Sequence, residues 1–109
     1  LVARAAERLK PAVDRIKFAT PAAPFMSTVT AKIEPAQRVG GLLVDQLTAP
    51  VRFTQATREL IKEGVGTFVE VGPGNVLSGL VRRIDRSART ISVNDLASLE
   101  KAKEALASR

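Results

Sequence analysis

Cysteine and histidine are both absent from this 109-residue chain, and so are tyrosine and tryptophan. Without cysteine there can be no disulfides, no thiolate nucleophile and no cysteine-based metal site. Without histidine the usual general base near neutral pH is missing. Serine, threonine, lysine and carboxylates are what remains, so the chain by itself is a poor candidate for a catalyst. Its four aromatic residues are all phenylalanine, so any core must be mainly aliphatic. No run approaches the roughly 18 apolar residues a membrane span requires, and there is no signal-peptide pattern. A soluble, cytoplasmic location is the expectation. The opening LVARAAERLK has no initiating methionine and starts inside a helical pattern, an odd beginning for an intact gene product.

What is present suits a folded protein. Hydrophobic residues make up 45% and charged residues 26%, which is unlike a disordered chain. The length allows one domain or part of one. The net charge of +6 suggests an acidic partner without naming it.

Along the chain, Ala5, Leu9, Val13 and Ile16 form one stripe at helical spacing over residues 1–17, with Pro11 expected to kink or split the helix. PFMSTVTAKI is β-branched and apolar, and predicts a strand from Phe25 to Thr30. From Pro35 to Leu47 the pattern is helical again. Gly40 and Gly41 each cost about 1 kcal/mol there, so the firm helix is expected over Leu42–Leu47, closed by Pro50. Thr54 is the expected N-cap of a helix whose apolar face is Ala56, Leu60 and Ile61, with Gly64 as its stop. TFVEV (67–71) predicts a short strand, Val76, Leu77, Leu80, Val81 and Ile84 a helix, and TISVN (90–94) a third strand. Asp95 is the expected cap of a last helix with Leu99, Ala102 and Leu106 facing inward. Strands alternating with helices predict an α/β fold with parallel pairing, the tail end of a larger domain.

Two features invite a functional reading. EVGPGNVLSGLVRR (70–83) is a strand end, a double-glycine turn and a helix start. A dinucleotide fingerprint would need glycine at position 77, where Leu77 stands, and no Gly-Lys-Ser/Thr follows. Pro73 also removes a donor from the turn. A packing turn is favoured over a phosphate cradle. The basic cluster Arg82, Arg83, Arg86 and Arg89 fits a solvated helix C-terminus better than a nucleic-acid patch, since no aromatic is interleaved for base stacking.

QLTAPVRFTQATREL, FVEVGPGNVLSGLVRRI and ISVNDLASL, in that order and spacing, resemble the C-terminal third of bacterial malonyl-CoA:acyl carrier protein transacylases, as does MSTVTA (26–31). The resemblance implies an intact enzyme that moves malonyl from coenzyme A to the acyl carrier protein thiol through a serine acyl-enzyme, for fatty acid biosynthesis. It implies the C-terminal portion of an α/β-hydrolase-like large subdomain over residues 1–109. The serine elbow, the malonyl-holding arginine, the catalytic histidine and the ferredoxin-like subdomain would lie outside this chain, the histidine just before the position of Leu1. The chain alone would then be inactive and would partner the missing N-terminal part of the same enzyme. Malonyl-CoA and acyl carrier protein would be the other partners, with no nucleic acid, no membrane, no metal and no cofactor beyond the coenzyme A thioester as substrate.

One active-site position is implied within the chain. In the family the histidine is oriented by a glutamine main-chain carbonyl, and the matching residue is Gln46. A helical carbonyl normally accepts from the N–H four residues on, and here that residue is Pro50, which has none. The Gln46 oxygen is therefore expected to lack its helical partner at the negative end of the helix dipole. Thr28 departs from the family, where asparagine commonly follows the serine matching Ser27. The resemblance leaves fatty acid and polyketide pathways open. The competing reading is a stand-alone basic α/β module binding nucleic acid or an acidic protein.

Overall fold

In the computed structural model, residues 2–107 are described, and Leu1, where the first expected helix begins, lies outside them. The chain divides into two compact units, Leu1–Glu59 and Leu60–Arg109.

In the first unit, helix α1 (Val2–Asp14) runs through Pro11 without the expected break. Proline inside a helix costs about 3 kcal/mol through its missing N–H and its ring clash. Packing against a second helix, through the buried Val13, offsets that cost. Phe25–Ser27 forms strand β1, shorter than predicted, because the chain turns back after Ser27. It pairs antiparallel with a strand the sequence reading missed, β2 (Lys32–Glu34), in the register Phe25↔Glu34. This hairpin makes its own two-stranded sheet, so the expected single parallel sheet of three strands does not form.

Helix α2 (Ala36–Asp45) begins after Pro35 and contains both glycines that the propensity argument excluded. A Cβ built on Gly40 would stand 3.2 Å from Val13 Cγ1 and 3.3 Å from Phe18 Cε2, so glycine there lets α1 and Phe18 approach closely. Leu42, 2% exposed, is the innermost side chain on this helix. The helix stops at Asp45, before Leu47 and Pro50.

Helix α3 (Phe53–Lys62) starts earlier than predicted. The Ala56 N–H donates to the Arg52 carbonyl, so Arg52 holds the capping position and Thr54 lies in the first turn. Gly64 ends it at φ +101, and the N–H groups of Gly64 and Val65 return to Ile61 and Leu60. That left-handed glycine is a regular helix stop.

The second unit is a β-α-β-α run. Strands β3 (Thr67–Val71) and β4 (Arg89–Val93) pair in parallel from Thr67↔Arg89 to Val71↔Val93. Helix α4 (Val76–Ile84) packs on both, and α5 (Leu96–Ala107) packs on β4. Asp95 caps α5 as expected: its Oδ1 accepts the Ser98 N–H at 2.7 Å, while Ser98 Oγ accepts the Asp95 N–H at 3.0 Å. The Ser98 N–H, aided by the Ser98 hydroxyl and opposed by desolvation, holds the Asp95 carboxyl below its ordinary range. Of the predicted inward face, Ala102 is buried, but Leu99 and Leu106 are 40% and 36% exposed. Parallel strands alternating with helices make this unit the α/β arrangement the pattern predicted.

Candidate functional site

Gln46 sits just past the end of α2 in an αR conformation (φ −60°, ψ −22°), and its own N–H donates to the Leu42 carbonyl. The amides that follow pass its oxygen by. Leu47 donates to Val44, while the Thr48 and Ala49 N–H groups both donate to Asp45, at 3.1 and 2.9 Å. The Thr48 hydroxyl reaches the Asp45 oxygen as well, at 3.5 Å. Had the helix continued, residue 50 would have supplied the donor, and proline has none. No hydrogen bond from a described residue ends on the Gln46 carbonyl. Gln46 is an exposed residue, and its carbonyl stands at the negative end of α2.

The glycine turn is built differently from an anion cradle. Gly72 and Gly74 take φ values of +137 and +80, which a residue with a Cβ rarely adopts. The turn aims the end of β3 at the start of α4. Asn75 occupies the N-cap position but makes no side-chain cap. Glu70 supplies the cap instead: its Oε1 accepts the N–H and Oγ–H of Ser78 at 2.9 Å each, and its Oε2 accepts the Leu77 N–H at 3.3 Å. Ser78 Oγ also lies 3.2 Å from Ser92 Oγ on β4. The Ser78 N–H, opposed by desolvation and aided by the Ser78 hydroxyl and the Leu77 N–H, holds the Glu70 carboxyl below its ordinary range. The protein's own carboxylate thus takes the donors a phosphate would need.

No protein-family model matches the chain. The malonyl CoA-acyl carrier protein transacylase of Bacillus subtilis (strain 168) is 40% identical over 107 residues, which is 97% of this chain and 34% of that protein. The transacylase of Haemophilus influenzae is 38% identical over the same share of each. A solved malonyl-transacylase, in complex with a type II PKS acyl-carrier protein, superposes with a TM-score of 0.83 at 39% identity over 94% of this chain and 34% of its own. The chain is homologous to the malonyl CoA-acyl carrier protein transacylases. It corresponds to their C-terminal part and spans about a third of the length of the curated relatives it matches. The acyl-carrier-protein-S-malonyltransferase of Bartonella henselae extends the likeness, with a TM-score of 0.86 at 31% identity over 96% of this chain and 34% of the other.

Set against the transacylases, the remaining candidate residues divide by their bonding. Arg82 Nε donates to Thr90 Oγ1 at 2.9 Å and Arg89 Nη2 to the Ala105 carbonyl at 3.1 Å, so these two tie helices to β4. Arg83 and Arg86 are exposed and make no ion pair with any described residue. Ser27 is buried, and its Oγ accepts the Val29 N–H at 3.1 Å within the hairpin turn. The sequence reading missed Glu70 as a helix cap and Asp45 as the acceptor of two amides. An acid seven or eight residues before the N–H groups it serves has no fixed sequence signature. The Asp45 bonds follow only once the helix end is known.

Proposed function

We propose that this chain is the C-terminal part of a transacylase that moves a malonyl group from coenzyme A to the thiol of acyl carrier protein for fatty acid biosynthesis. The observation that carries the reading is 40% identity to a named transacylase over 97% of the chain. A serine acyl-enzyme mechanism fits it, with the serine and the histidine base supplied outside residues 1–109, since the chain has no histidine. In this reading the Gln46 main-chain oxygen accepts the N–H of that histidine, orients the ring and stabilises the imidazolium formed while the serine is deprotonated. An aspartate does the same in serine proteases. The unclaimed carbonyl at the end of α2 supports this role. The chemistry calls for no metal and no cofactor beyond the thioester substrate, and the enzyme works in the cytoplasm. The 109 residues alone are inactive.

The test is transfer of labelled malonyl from malonyl-CoA to acyl carrier protein by the full-length protein. Acyl carrier protein that stays unlabelled under conditions where a known transacylase is active rejects the proposal.

A further inference from the structure

One cleft in the first unit is unused by this mechanism. Val29, Thr30, Lys32, Glu34, Arg38, Pro50 and Arg52 surround an open cavity of about 650 Å³. In the hairpin turn that carries Val29 and Thr30, Ala31 takes φ 57 and its N–H closes onto the Ser27 carbonyl at 2.8 Å. A non-glycine residue in that region is strained and is kept where the surroundings demand it. Beside it the Thr30 hydroxyl oxygen is buried and has no hydrogen-bond partner among the described residues. Buried polar atoms are rarely left unpaired.

The charges in the cleft are unequal. Glu34, whose side chain is 10% exposed, lies 3.7 Å from Arg38, so those two offset each other. Lys32 and Arg52 are exposed and make no ion pair with any described residue. The Arg52 main chain is fixed by its N–H bond to the Thr28 carbonyl at 2.8 Å, which holds the segment carrying Pro50 and Arg52 against the turn. Two cations without a carboxylate partner among the described residues therefore line the same concavity. A guanidinium and an ammonium around an oxygen-rich dianion give charge-assisted bonds.

We propose that this cleft is an anion subsite that takes a phosphate group, with Lys32 and Arg52 supplying the charge. The site does not depend on the malonyl transfer reading. If that reading holds, the phosphate is one carried by coenzyme A; otherwise it is inorganic phosphate.

The experiment titrates the full-length protein with inorganic phosphate, followed by phosphorus NMR or calorimetry. Saturable binding is expected, weakened about tenfold by Lys32→Ala and by Arg52→Ala, the loss of one charge-assisted contact, and retained by Lys32→Arg. Comparing coenzyme A with dephospho-coenzyme A separates the sources: tighter binding of the former that is lost in Lys32→Ala assigns the cofactor phosphate, and equal binding assigns inorganic phosphate. Absence of saturable phosphate binding overturns the proposal, and so does an unchanged affinity in folded Lys32→Ala protein. Neither result bears on malonyl transfer, which the turnover assay measures separately.

Discussion

The Glu70 carboxylate holds Ser78 twice, through its backbone N–H and its hydroxyl, both at 2.9 Å. This one pair joins the end of β3 to the first turn of α4 across the glycine turn. It explains why a strand-turn-helix that looks like a phosphate loop has no need of a phosphate: the negative charge favoured at the helix N-terminus is built in.

The bond makes stability pH-dependent. The Glu70 carboxyl is held below its ordinary value of 4.5 when folded. A lowered pKa means the ionised form favours the folded state above the unfolded value, and the benefit disappears as pH falls through the folded value. Glu70→Gln is expected to lower the melting temperature near neutral pH, with the gap to the parent closing below about pH 4. Melts across that range check it, and a gap that widened in acid would contradict it.

For the proposed role of Gln46, the main chain does the work. Gln46→Ala in the full-length protein is expected to keep turnover within about twofold. Pro50→Ala restores a donor aimed at the Gln46 oxygen and is expected to lower kcat about fivefold to tenfold, the cost of a competing hydrogen bond, with KM little changed. Loss of all activity in a folded Gln46→Ala enzyme would show that the side chain is the acting group.

The two glycines of α2 should respond oppositely. A Cβ on Gly41 meets nothing within 4 Å, so Gly41→Ala is expected to stabilise by about 0.5–1 kcal/mol. At Gly40 the same gain is set against contacts at 3.2 and 3.3 Å with Val13 and Phe18, and overpacking costs about 1–3 kcal/mol. Urea unfolding is expected to place Gly40→Ala at least about 1 kcal/mol below Gly41→Ala.

At the bottom of α2, Leu42→Ala is expected to cost about 2–5 kcal/mol, since its side chain is 2% exposed and the cavity left behind cannot fully collapse. Chemical denaturation gives the value, and a loss under 1 kcal/mol would mean the site repacks.

On β3, Val69 and Val71 share a face and are 42% and 80% exposed. The 109-residue chain expressed alone is expected to self-associate or bind a hydrophobic dye, and the double substitution to threonine to reduce both. A monomeric chain that binds no dye would contradict this.

Local information sufficed wherever the deciding interaction was local. The Gly64 stop, the Asp95 cap and the amide-free Pro50 opposite Gln46 all depend on residues within four or five positions of one another, and each was legible in the sequence. The order of the motifs pointed to the transacylases that the chain is similar to. Tertiary structure decided the rest. Gly40 belongs in a helix because Val13 and Phe18 come close to it, and Pro11 stays in one because Val13 is buried nearby. PFMSTVTAKI folds back as a hairpin through a left-handed Ala31, which propensity disfavours. Helix α4 takes its cap from Glu70 on the preceding strand. In each case the energy comes from a neighbour brought near by folding, and periodicity along the chain carries no record of it.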